Sequence, residues 1–167
     1  MAPPVINKAG SFLFSERSHP PAMSLNSGIY DIVNLGSIPR CAGAPPGSVD
    51  VGMPMMGVSP PLMLPIEVKR VGDDTYQLKL QTNNNIAIGY STQGRKNDFA
   101  FVKLMRSSKE VLWKISKGNC QGHFRIHVPD TDRCWTLPRG AGGLAPIVLS
   151  ELEGTPEQDW IFQPLYA

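Results

Sequence analysis

The sequence predicts an all-β domain built from three similar units, and three observations carry that expectation. An apolar-x-apolar triplet recurs at a constant interval: Ile66-Glu67-Val68, Trp113-Lys114-Ile115 and Trp160-Ile161-Phe162 begin 47 residues apart. An aromatic-x-aliphatic triplet, at Tyr30-Asp31-Ile32, Tyr76-Gln77-Leu78 and Phe124-Arg125-Ile126, recurs at intervals of 46 and 48, and precedes the first ladder by 36, 37 and 36 residues. Two landmarks that keep step mark an internal repeat, and a unit of this length buries its apolar face only against its neighbours. Finally, period-two alternation is frequent, whereas no apolar stripe at i, i+3, i+4 persists for three turns.

Size and composition agree with one folded domain. The chain has 167 residues, 41% hydrophobic and 18% charged, enough for a core and unlike a disordered chain. Sixteen glycines and sixteen prolines favour many turns between short strands over long helices. A net charge of +2 is too weak for an electrostatic nucleic-acid footprint. No window approaches 18 apolar residues, and Phe12-Leu13-Phe14 is shorter than a signal-peptide core, so no membrane partner and a cytoplasmic location are expected. Cys41, Cys120 and Cys134 are odd in number and widely spaced. They fit neither a disulfide framework nor a four-ligand zinc site, and are expected to be reduced and mostly packed thiols with no metal or cofactor.

Residues 1–25 carry Pro3, Pro4, Pro20 and Pro21 and no periodicity, and are expected to form a flexible tail. Met23 is a candidate translation start, which mass spectrometry of the native protein would test. The folded domain is expected over 26–167, with units near 27–72, 73–118 and 119–167. In the first, Tyr30, Ile32 and Asn34 share one strand face and Asp31 and Val33 the other; a Gly/Pro/Met-rich segment then runs to Pro61. In the second, Tyr76, Leu78 and Leu80 alternate with Gln77, Lys79 and Gln81. Thr82-Asn83-Asn84-Asn85 makes a turn, Ile86-Ala87-Ile88 a strand, 94–98 another turn, and Phe99, Phe101 and Lys103 one face of the next strand. The third runs through 124–128, a turn at 129–132, Cys134-Trp135-Thr136-Leu137, a Gly-rich turn at 140–143, a strand over 146–152 and the closing triplet.

Four strands per unit, twelve altogether, fit a β-trefoil. Each unit gives two strands to a six-stranded barrel and two to a layer of hairpins closing one end, which removes exposed sheet edges. Tyr30, Tyr76, Trp113, Phe124, Trp160 and their Ile and Leu partners are the expected core.

The catalytic inventory is poor, and a non-enzyme is expected. Gly-x-Ser-x-Gly, His-Glu-x-x-His, a phosphate loop and a dinucleotide fingerprint are all missing from the sequence. His123 and His127 would share a face of a helix, but on a strand they read as solvent-facing residues beside Arg125 rather than as a metal pair. Asp73-Asp74 and Asp130/Asp132 read as turn residues. A sugar site would need an aromatic platform beside polar acceptors; Thr82-Asn83-Asn84-Asn85 with Tyr90 is the candidate, and a plain polar turn the simpler reading.

Trefoils place function in loops on a rigid scaffold. Around Ile38-Pro39-Arg40-Cys41 one long cation sits among prolines. Pro39 fixes its own φ and biases Ile38 towards an extended conformation. An extended, preorganised segment ending in Arg suits the carboxylate-lined pocket of a trypsin-like serine protease. From the residues alone, Arg40 as an ordinary surface cation is the favoured alternative.

Two resemblances extend this reading. Gln158-Asp159-Trp160 matches the Gln-x-Trp element of ricin-B-type trefoil lectins, where it seats the Trp and bonds the Gln locally; it occurs once. Met23-Ser24-Leu25-Asn26-Ser27-Gly28-Ile29-Tyr30-Asp31-Ile32-Val33-Asn34, Ile38-Pro39-Arg40, Phe99-Ala100-Phe101, Val111-Leu112-Trp113-Lys114-Ile115, Trp135-Thr136-Leu137-Pro138 and Pro146-Ile147-Val148-Leu149 together resemble the small mushroom β-trefoil serine-protease inhibitors of the cospin and cnispin type. The likeness spans about residues 23–167, mostly through fold-forming motifs. It implies an inhibitory loop between the second and third strands of the first repeat, with Pro39, Arg40 and Cys41 as P2, P1 and P1′. It also implies a trypsin-like serine protease as partner and a cytosolic role in fungal defence. From Cys41 to Pro61 the sequence is Gly/Pro/Met-rich where the resemblance implies a polar, charged stretch. Arg95-Lys96 and Arg139-Gly140 are the next cationic loops. Fungal trefoils also include glycan-binding lectins and cysteine-protease inhibitors, and both stay open as alternatives for a protein expected to be a monomer.

Overall fold

The computed structural model describes residues 24–36, 40–47, 49–90, 101–107, 111–140 and 143–165. Its strands are β1 (Gly28–Asn34), β2 (Arg40–Gly43), β3 (Met56–Val58), β4 (Ile66–Arg70), β5 (Thr75–Leu80), β6 (Ile86–Tyr90), β7 (Val102–Arg106), β8 (Trp113–Lys117), β9 (Phe124–His127), β10 (Arg133–Thr136), β11 (Ala145–Pro146), β12 (Val148–Glu151) and β13 (Trp160–Pro164). A single 3-10 turn, Pro156–Gln158, is the one helical piece among the described residues.

Six strands close on one another. β1 pairs with β4, β4 with β5, β5 with β8, β8 with β9, β9 with β13, and β13 returns to β1, every pair antiparallel. A closed sheet leaves no unpaired edge, so short strands of five to seven residues in β1, β4, β5, β8 and β13 suffice to build a barrel. The register accounts for the two sequence ladders. Tyr30 lies opposite Ile66, Tyr76 opposite Trp113 and Phe124 opposite Trp160, so each opening aromatic is the cross-strand partner of its own unit's closing triplet.

The hairpin layer repeats with the same period. Cys41 faces Val58 in β2–β3, Ile88 faces Leu104 in β6–β7, and Trp135 faces Leu149 in β10–β12. The three hairpins meet in a ring of backbone hydrogen bonds: Met55 N–H donates to the Val102 carbonyl, Val102 N–H to Ile147 and Ile147 N–H to Met55, each at 2.9 Å. All three residues are fully buried. A column of edge-to-face aromatics, Tyr90–Trp113–Trp135–Trp160, runs through the interior at centroid separations of 5.2, 5.4 and 5.7 Å. Two of the three indole donors are satisfied in parallel ways: Trp113 Nε1 donates to the Ile88 carbonyl at 2.8 Å and Trp160 Nε1 to the Trp135 carbonyl at 3.0 Å. The Trp135 indole N–H is buried without a partner among the described residues.

Three expectations are corrected. Among the described residues there are thirteen strands, not twelve, because 146–152 does not run as one strand. Ile147 turns inward to the hydrogen-bonded ring, separating β11, which pairs with β3, from β12, which pairs with β10. Leu25, placed in the tail, is buried, and its carbonyl accepts the Tyr76 hydroxyl at 2.7 Å; residues 1–23 lie outside the described residues. In β7 the inward face is Val102 and Leu104, one residue out of phase with Phe101 and Lys103, and a one-residue slip moves every side chain to the opposite face. Phe99 lies outside the described residues. Asp31, on the strand face opposite Tyr30 and Ile32, is buried as they are.

Candidate functional site

The expected inhibitory cation is not presented on a loop. Arg40 opens β2, where it pairs in register with Asn34, and is 9% exposed. Cys41 follows it, buried, between Val33 of β1 and Val58 of β3. Arg40 and Cys41 therefore sit in a paired strand, joined to β1 through both residues and to β3 through Cys41, instead of on the exposed loop expected for them. Pro39 lies outside the described residues, as does Arg95-Lys96. The connection between the second and third strands of the first repeat is instead 44–55, the longest between consecutive strands.

Two features shape that connection. Its far end is fixed to the second repeat: Gly52 N–H donates to the Leu104 carbonyl at 2.8 Å, Leu104 N–H donates back to the Met53 carbonyl at 2.8 Å, and Met55 joins the central ring. Val49 and Met53 pack against the core and Met55 is buried within it. At its tip, Met53 N–H donates to the Asp50 carbonyl at 3.3 Å, and Gly52 has φ +95°. A four-residue turn whose third position alone has positive φ is a type II turn, and glycine is the residue that tolerates that position. Val51 occupies the corner before it and is 49% exposed. Asp50 and Val51, with Asn83, Asn85, Arg106 and Ser107, line an open cleft of about 430 Å³.

That cleft unites part of the expected sugar site. Asn83 and Asn85 line it, but Tyr90 sits at the other end of β6, edge-on to Trp113. The aromatic platform is therefore part of the core.

A second cleft, about 460 Å³, lies in the third repeat beside the Gln-x-Trp element and is lined by Thr136, Arg139, Val148, Ser150, Glu153 and Glu157. Arg139, 76% exposed, follows Pro138 on the turn after β10 and donates through Nε to Glu157 Oε1 at 2.7 Å. That hydrogen bond holds the Glu157 carboxyl below its ordinary pKa. The Thr136 and Ser150 hydroxyls are 2.6 Å apart.

Gln158 and Asp159 are structural. Gln158 Nε2 donates to the Glu151 carbonyl at 2.7 Å, while Oε1 accepts from the Glu153 and Gly154 amides at 2.7 and 3.1 Å. The Asp159 carboxylate, nearly inaccessible, lies 3.4 Å from Arg125 Nε and 3.5 Å from His123 Nδ1, and accepts the Asn119 amide at 3.2 Å. His123 and Arg125 thus line a buried carboxylate instead of facing open solvent. His127 is half-buried with Nε2 at 2.8 Å from Ser116 Oγ, and burial, reinforced by Lys114 and Arg125, lowers its pKa. Among the described residues no three His, Cys, Asp or Glu side chains converge where a metal ion could be held.

The barrel, the three hairpins and their common axis define a β-trefoil. The sequence itself matches no known protein family and no curated protein. Solved structures match the fold. The chain is similar to the designed threefold-symmetric protein ThreeFoil, with TM-score 0.68 and 14% identity over 83% of this chain and 99% of that one. It is similar to the Macrolepiota procera ricin B-like lectin solved with lactose, with TM-score 0.67 and 15% identity over 84% and 97%. It is similar also to a proteinase inhibitor from Coprinopsis cinerea, with TM-score 0.64 and 12% identity over 84% and 99%.

Proposed function

We propose that the protein is a serine-protease inhibitor that acts through the 44–55 connection of its first repeat. The observation that carries this reading is the anchoring of that connection. A loop is a tight-binding ligand when its ordering cost has been met before the protease arrives. Here Val49 and Met53 pack into the core, and Gly52, Met53 and Met55 are hydrogen-bonded to β7, while 46, 47 and 50–52 remain exposed. Support comes from the mushroom-inhibitor resemblance, which points to the connection between the second and third strands, and from the fold shared with the Coprinopsis inhibitor. The expected setting is cytoplasmic.

Inhibition of trypsin, chymotrypsin, pancreatic elastase and papain tests it. Stoichiometric inhibition of at least one of the three serine proteases is expected, lost when 45–51 is replaced by a Gly/Ser segment of equal length. Inhibition of papain alone would replace this reading with the cysteine-protease one.

A second reading, glycan binding, is favoured by the third-repeat cleft. Its paired Thr136 and Ser150 hydroxyls, Arg139–Glu157 pair and Val148 wall are groups able to bond sugar hydroxyls beside an apolar face, and the fold is shared with a lactose-bound lectin. Binding on a glycan array without inhibition of any protease selects it.

A further inference from the structure

We infer that the protease engaged by the 44–55 connection has a narrow apolar primary pocket, of the elastase type, and that Val51 is the side chain that enters it. This rests on the inhibitor reading above and goes on to name its target class. Residues 44–55 contain no Lys or Arg, so nothing on the connection can pair with the carboxylate of a trypsin-type pocket. They contain no aromatic residue either, so nothing fills a deep chymotrypsin-type slot. The apolar side chains that remain sort by exposure. Ala44 and Met55 are buried, and Val49 and Met53 pack against the core, which leaves Val51 at the surface. Pro46 is also exposed, but its ring is tied back to its own nitrogen and projects least.

Position and stiffness agree with this. The second residue of a type II turn has φ near about −60° and ψ near about +120°, an extended conformation that directs its side chain away from the chain reversal. Gly52 takes the positive φ that lets Val51 keep that conformation. A β-branched side chain has few χ1 states to lose on entering a pocket. Val49 and Met53, two residues to either side, are the anchors that hold the corner in place.

The test uses the full chain with Val51→Arg and Val51→Asp variants, assayed against pancreatic elastase, chymotrypsin and trypsin. Both substitutions lie on an exposed corner, so unfolding midpoints close to that of the parent chain are expected. The parent should inhibit elastase at least about tenfold more strongly than trypsin, and Val51→Arg should reverse that preference. Val51→Asp should weaken elastase inhibition by about 100-fold, as expected for a charge in a small apolar pocket. A parent chain that prefers trypsin or chymotrypsin would overturn the assignment while leaving the loop reading intact. So would elastase inhibition unchanged by Val51→Asp but lost with the 45–51 replacement. A protein that inhibits no serine protease overturns both.

Discussion

Three thiols in a chain without disulfides among the described residues have three different environments. Burial pushes the Cys134 thiol up to about 11, and burial followed by the nearby Asp31 carboxyl raises Cys41. The thiolate is the reactive form, so both should be inert at neutral pH for want of charge as well as access. Cys120 is exposed on the turn between β8 and β9. One thiol per chain is therefore expected to react with Ellman's reagent at pH 8 in the native state, and three after unfolding; two or three fast-reacting thiols in the native state would contradict these placements. Cys41 also shows how far the internal repeat encodes the hairpin layer. Stepping by the 47-residue interval from Cys41 reaches Ile88 and then Trp135, both fully buried and both paired within their hairpins. The repeat itself therefore marks Arg40-Cys41 as strand, and the flanking prolines had argued for a loop. Asp31 carried no such signal, because period-two alternation assumes that one face of a strand stays open.

At the scale of single elements, hairpin approach is set by where a Cβ can fit. Gly43 ends β2 where the chain folds back: an added Cβ would lie 2.5 Å from the Leu62 carbonyl oxygen and 2.5 Å from Val58 Cγ2. The carbonyl belongs to the backbone and cannot rotate away, since Leu64 N–H donates to the Ala42 carbonyl and Gly43 bridges Met63. Gly43→Ala should therefore destabilise the protein by about 2 kcal/mol or more, as overpacking does, measured as a lower urea midpoint with unchanged m-value. A change within a few tenths of a kcal/mol would show that the 59–65 segment yields freely. Strand existence was readable here and loop geometry was not. The alternation in β4, β5 and β8 announces barrel strands, but nothing in 44–55 announces that Gly52 and Met53 dock on Leu104, because that contact is between residues more than fifty apart with no pattern linking them.

The whole molecule depends on three units that share one interval and one centre. The landmarks at Tyr30, Tyr76 and Phe124 and at Ile66, Trp113 and Trp160 were visible in the sequence because barrel packing demands a large apolar side chain at each. The ring joining Met55, Val102 and Ile147 was not, since its bonds are made by backbone groups that any residue but proline supplies. Each hairpin both donates to one neighbour and accepts from the other, so opening any one breaks two of the three bonds and uncovers the apolar column beneath. No hairpin should then open independently of the rest. Native-state hydrogen exchange tests this directly: the amides of Met55, Val102 and Ile147 should exchange only through global unfolding, with equal opening free energies that rise and fall together with denaturant. If the Ile147 and Val102 amides exchanged together with a lower opening free energy and a weaker denaturant dependence than the Met55 amide, the third repeat would open alone. The trefoil would then be a closed barrel carrying a separable hairpin rather than one cooperative unit.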